Sequence, residues 1–139
     1  MILIHVLAIV VTGLLVLFAD EQGLMWMLGR KATLSAKLLT ILHRSVSIGL
    51  ACIILTGAIM VSRDPAYYFA NPVFLIKMSF VLVLVVNAFF VGTLSKVATT
   101  HAFSDLSPRA RTPLLVSAAL SVTGWAGALL LGLKLSGWW

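Results

Sequence analysis

Four segments of this chain run for 18 residues or more without a charged side chain: residues 2–19, 45–62, 78–95 and 112–133. About 20 apolar residues in helical form cross the roughly 30 Å hydrocarbon core of a bilayer. Hydrocarbon offers no partner to a backbone N–H or C=O, so a spanning segment is either an α-helix or a strand of a closed barrel. A barrel strand alternates polar and apolar residues, and Val81-Leu82-Val83-Leu84-Val85-Val86 does not. The pattern predicts an all-α integral membrane protein, with residues 1–139 forming one domain of four antiparallel transmembrane helices, up-down-up-down. Only 10% of the residues are charged, against about 25% in soluble domains. That excludes a secreted module, a cytosolic enzyme and a disordered tail.

Orientation follows from the basic residues. Arg30, Lys31, Lys37, Arg44, Lys96, Arg109 and Arg111 flank the first and third connections, and Arg63, Lys77 and Lys134 lie at the other end. The positive-inside rule puts the seven in the cytoplasm and both termini outside, as in a multi-pass protein of the cell inner membrane. Topology thus accounts for the net charge of +6, and nucleic acid is not an expected partner. The opening residues Met1 to His5 carry no positive n-region, so the first run reads as a retained span rather than a signal peptide. Asn71-Pro72 has the form of an N-cap followed by proline at the first helical position. Thr112-Pro113 repeats that form, and Asp64-Pro65 breaks the chain between the second and third spans. Tyr67, Tyr68, Trp138 and Trp139 suit the headgroup level. The lone cysteine, Cys52, rules out an internal disulfide and reads as a small packed side chain.

A polar side chain inside a span is costly unless it pairs, so each is a functional candidate. His5 lies one turn into the first span, on a stripe with Ala8, Thr12 and Ala19. It is either a residue hydrogen-bonded at a helix interface or a metal ligand. His43 opens the second span beside Arg44 and shares a helical face with Ser47, Leu50, Ile54 and Gly57, with the same two readings. His101 follows the third span and reads as a loop residue or a third ligand. Two imidazoles gripping one iron sit only about 4 Å apart. His5 and His43, toward opposite faces of the core, cannot do that within one chain, whereas His43 and His101 can share a depth. Arg44, Lys96, Arg109 or Arg111 would then pair with haem propionates. Asn87, near the middle of the third span, reads first as a helix-to-helix hydrogen bond. Lys77 can snorkel outward or contact an anion. Asp20 and Glu21 close the first span, where acids near Arg30 and Lys31 are usually solvated or paired. Gly124, Ala128 and Gly132 form a close-packing face, and Trp125 lies far from the usual aromatic belt.

The chain has no Cys-x-x-Cys, no His-Glu-x-x-His, no phosphate-cradling glycine loop and no nucleophile elbow. Several segments do carry a resemblance. They are His5 in the first helix, Phe74-Leu75-Ile76-Lys77-Met78-Ser79-Phe80, Arg109-Ala110-Arg111-Thr112-Pro113-Leu114, and Leu42-His43-Arg44 followed by Leu55-Thr56-Gly57. In these the chain is similar to a group of small four-helix bacterial membrane proteins that includes the haem-dependent protoporphyrinogen oxidase and copper-resistance protein D families. The resemblance implies b-type haem and, by the oxidase pattern, roles for His5 and Lys77. Leu75 and Arg111-Thr112 stand where that pattern has a His and an Asn-Glu pair, which separates this chain from the oxidase activity itself.

The resulting expectation is an inner-membrane protein binding haem b for electron transfer or oxidation. His43 and His5 are the first axial ligands, His101 the third, Arg44 is a propionate partner, and Lys77 and Asn87 line the pocket. The lipid bilayer is its surroundings, and a homo-oligomer or larger membrane complex is a possible assembly. The alternatives are a non-enzymatic scaffold or accessory subunit whose Gly124-Ala128-Gly132 face meets a partner, and a small transporter using Asp20, Asn87 and Lys77.

Overall fold

A computed structural model describes residues 1–137. Trp138 and Trp139, expected at the headgroup level, lie outside the described residues. Every regular element among them is helical: α1 (Ile2–Met27), α2 (Ala36–Val61), the short α3 (Pro65–Phe69), α4 (Pro72–Thr100), a 3-10 turn (Phe103–Asp105) and α5 (Pro108–Leu135). Four of them, α1, α2, α4 and α5, are long and apolar enough to cross a membrane. At 26 to 29 residues they are about 39 to 44 Å long. They outrun the charge-free segments because the flanking residues, from Asp20 and Glu21 to Arg109 and Arg111, continue the helices. Long apolar side chains cover the outside: Leu3, Leu7 and Leu14 on α1 are 63–84% exposed, and Phe89 on α4 is 78% exposed. Such a surface suits lipid and not water.

Side-chain caps set most helix starts. The side chains of Ser35, Asp64, Asn71 and Ser107 accept from the backbone N–H groups of Leu38, Tyr67, Val73 and Ala110. Asn71-Pro72 therefore works as expected. Thr112-Pro113 does not: α5 begins five residues earlier on Ser107-Pro108, and Pro113 lies inside the helix. The physical reason is that Ser107 and Pro108 supply the same cap and fixed φ sooner, while Pro113 falls early enough in α5 to be tolerated. Asp64-Pro65 likewise starts α3 instead of only breaking the chain. At the end of α1, Gly29 takes φ +73. Its N–H donates to the Trp26 carbonyl and that of Arg30 to the Met25 carbonyl, a Schellman closure that turns the chain back.

Packing divides the bundle into two hairpins. α1 lies along α2, α4 along α5, and α2 against α4 makes the main contact between them, while α1 and α5 scarcely touch. Thr12 of α1, 1% exposed, sits where a Cβ on Gly49 of α2 would go. Leu84 and Phe80 of α4 fill the same space at Gly124 and Gly127 of α5, each 2.7 Å from a Cβ placed there. Glycine lets the backbones approach, as small residues do between membrane helices. The α5 face containing Gly124 and Gly132 is therefore occupied by α4 of the same chain, against Leu84 and Lys77. It is not a free docking face. Cys52, expected to be packed, is exposed.

The end carrying the α1–α2 and α4–α5 connections, called the basic end below, is shut by an apolar plug of Trp26, Leu34, Ala98 and Leu114. Trp26 Nε1 donates to the His101 carbonyl at 2.9 Å, and the ring meets Phe103 edge-on at 5.2 Å. Arg111 stacks over the Phe103 ring at 5.0 Å and donates to the Ser104 carbonyl. The Leu34 N–H donates to the Ala98 carbonyl at 2.8 Å, joining the first connection to α4.

Candidate functional site

Between the two hairpins, above the plug, lies a cavity of ≈ 200 Å³ lined by all four long helices. Most of its wall is aliphatic. Its polar members are Asp20 from α1, His43 and Ser47 from α2, Asn87 and Ser95 from α4, and Ser117 and Ser121 from α5. A second pocket of ≈ 40 Å³ lies toward the terminal end and is bordered by His5 and Lys77. Leu50, Leu84 and Trp125 border both spaces and form the partition between them. Ionisable groups divide cleanly across it. The larger cavity has Asp20 and His43 and no Lys or Arg, and the smaller one has His5 and Lys77 and no acid.

Each predicted site residue has a definite place. Asn87 and Ser117 are both buried and lock to each other. Ser117 Oγ donates to Asn87 Oδ1 at 2.8 Å, and Asn87 Nδ2 donates to the Ser117 carbonyl at 3.2 Å. That is the expected helix-to-helix bond, and one amide N–H of Asn87 remains spare at the cavity wall. His43 also reaches the cavity, its Nε2 lying 3.2 Å from where a Cβ on Gly92 would stand. Arg44, its neighbour, is exposed and is not part of the wall.

His5 lies beside Gly57, and its Nδ1 is 2.7 Å from Thr56 Oγ1. The single Thr56 hydroxyl proton goes to the Cys52 carbonyl at 2.7 Å, so Nδ1–H of His5 donates and Nε2 carries the lone pair. Thr56 stands 13 residues beyond His43 on α2, about 20 Å of helix. His5 and His43 thus occupy different halves of the bundle, as expected. His101 is exposed, its Nδ1 bonded to Thr100 Oγ1, because the chain leaves the α4 helix there with φ -127 and ψ 145. It does not join His43 at the cavity.

The arrangement can be tested against b-type haem. Among the described residues, no group of three or more His, Cys, Asp or Glu is placed to hold a metal. The larger cavity offers one imidazole, whose Nε2 abuts the α4 backbone at Gly92. Its ≈ 200 Å³ falls below the roughly 300–1,000 Å³ of ordinary ligand pockets, and a porphyrin is larger than most of their occupants. His5 has the oriented Nδ1–H expected of a metal-bound imidazole, but only ≈ 40 Å³ beside it. With the hairpins in this position, haem does not fit either space.

Two lining features go beyond the sequence expectations. Asp20 faces the cavity instead of pairing with the basic connection, because Lys31 donates to Gln22 Oε1 at 2.6 Å. Trp26 closes the cavity floor at 2% exposure. The signal lay in the spacing Thr12, Val16, Ala19, Gly23, Trp26, which continues the His5 stripe through the charged end of α1. No family, no curated protein and no solved structure matches the chain.

Proposed function

We propose that this chain is a multi-pass protein of the bacterial inner membrane, basic end in the cytoplasm, that binds a small lipid-soluble molecule between its hairpins. The observation that carries this is the seam cavity. A dry engineered cavity of about 150 Å³ binds benzene, so ≈ 200 Å³ suits one substituted ring. A mostly apolar wall with a few convergent polar groups is the usual form of a small-molecule site. Here Asp20, His43 and the spare N–H of Asn87 supply those groups. The loose α1–α5 side gives a ligand a path from the bilayer.

Trp26 and Trp125 border the cavity, so bromobenzene, a heavy-atom quencher, serves as the test ligand for protein in lipid nanodiscs. The expected result is quenching that saturates and is weakened in Ala88→Leu, whose longer side chain takes up part of the cavity. Quenching that rises without saturation and is the same in Ala88→Leu would reduce it to partitioning into lipid and overturn the reading.

One observation favours a second reading. With Nδ1–H of His5 donating to Thr56, the Nε2 lone pair is left for a metal, beside Lys77, a partner suited to a propionate. A b-type haem on His5, with electron transfer or oxidation as its purpose, requires the hairpins to part. A Soret band in protein purified from haem-replete cells, lost in His5→Ala, supports it. Protein without that band after haem reconstitution excludes it.

A further inference from the structure

We propose that the seam cavity selects lipophilic organic cations, with the Asp20 carboxylate as their counter-charge. The proposal rests on the cavity being a ligand site and concerns which ligands it takes. Asp20 lines the cavity, and among the described residues no hydrogen bond or ion pair reaches its carboxylate. Of the charged or titratable groups on the packed elements, only His43 of α2 shares the space. α4 and α5 contribute Asn87, Ser95, Ser117 and Ser121, and no lysine or arginine from any element enters. Lys31, the basic residue that chain proximity would assign to Asp20, is held by Gln22.

Position makes the carboxylate unusual. Trp26 stands six residues further toward the basic end on α1, about 9 Å, within the plug that also contains Leu34, Ala98 and Leu114. Asp20 therefore lies inboard of an apolar seal, on a wall that is chiefly aliphatic. Asp20 is only part-buried, yet a carboxylate set on an apolar wall without a partner is costly, and a bound cation relieves that cost where a neutral or anionic ligand does not. Trp26 and Trp125 border the same space, and indole rings attract organic cations. The weak α1–α5 contact admits ligands from the lipid, so the favoured class combines an apolar body with one positive charge.

The test uses two molecules of one shape, benzyltrimethylammonium and its uncharged carbon isostere neopentylbenzene, with benzylsulfonate as the anionic comparison. Binding to the full chain is measured by tryptophan fluorescence and calorimetry in phosphatidylcholine nanodiscs, whose surface carries no net charge. The cation has no N–H and meets Asp20 by charge alone, and it is expected to bind the wild type at least tenfold more tightly than the anion. Asp20→Asn should remove most of that preference and leave the neutral isostere unchanged, whereas Asp20→Glu should retain it. Should Asp20→Asn not fold, the wild-type ratio of cation to anion decides alone. A saturable neutral isostere with no preference for the cation overturns the charge selection while leaving the cavity a ligand site. Failure of all three ligands to bind removes the ligand site itself, and this proposal with it.

Discussion

The α1–α2 hairpin is tightly packed where Thr12 meets Gly49, and this contact yields a sharp prediction. A Cβ at Gly49 would overlap the Thr12 side chain. Thr12 has little freedom to move, being 1% exposed with its hydroxyl donating to the Ala8 carbonyl at 2.6 Å. Gly49→Ala must therefore push the hairpin apart or rotate Thr12 off that bond, and overpacking of this kind costs about 1–3 kcal/mol. Alanine also gains about 1 kcal/mol over glycine in a helix interior, so the net loss should be about 0–2 kcal/mol. The control is Gly13→Ala on α1, where a Cβ meets nothing within 4 Å. It keeps the helical gain without the overlap, so the two variants should differ by about 1–3 kcal/mol. Reversible unfolding in mixed micelles measures both, and a cycle with Thr12→Ala isolates the contact. Gly49→Ala should lose most of its penalty when Thr12 is already alanine, since only the Cβ of residue 12, 3.0 Å from the new Cβ, then remains. Equal stability of Gly49→Ala and Gly13→Ala, or a penalty undiminished without the Thr12 side-chain tip, would refute this packing of the hairpin.

Other predictions follow from single contacts. Asn87→Leu removes both bonds to Ser117 and should lower stability by about 1–2 kcal/mol, at the upper end for polar pairs in membranes; an unchanged unfolding midpoint would contradict the lock. Trp26→Phe keeps an apolar ring but loses the bond to the His101 carbonyl. It should cost about 1 kcal/mol and speed amide exchange in the connection after α4; unaltered exchange would argue against that tie. Gly127→Leu should open the α4–α5 hairpin by clashing with Phe80, seen as a loss of folded protein on size exclusion. Single cysteines placed at Lys31 and at Tyr67 in a Cys52→Ser background should label from opposite sides of intact cells with a membrane-impermeant maleimide, Tyr67 from outside; the reverse pattern would invert the topology.

The four long helices were legible because freedom from charge over 18 residues has few physical alternatives. Which side of each helix faces inward was not, since a helix apolar around most of its circumference carries no strong periodic signal. The polar residues were therefore the main guides. Asn87 announced its bond because an amide in hydrocarbon needs a partner. His5 and Lys77, brought forward by the resemblance, do border one pocket. His101 could not be placed from spacing, because the extended backbone after Thr100 turns it outward. For Asp20 the sequence leaves two roles open, solvated or paired near Arg30 and Lys31, or used by a small transporter. Proximity along the chain suggested Arg30 and Lys31, but the Schellman turn at Gly29 carries the connection away and Lys31 closes on Gln22. Helix ends were misplaced wherever charged residues were read as boundaries, most plainly at Pro113.

A seam between the hairpins that holds a guest is the centre of the proposed function. A crystal of the protein grown with iodobenzene, with diffraction recorded for the anomalous signal of iodine, tests that directly. An ordered iodine among Asn87, Trp125 and Ser117, absent from crystals of Ala88→Leu, is the predicted result. Iodine found only on the outer, lipid-facing surface, with the two hairpins closed over an empty seam, would contradict it.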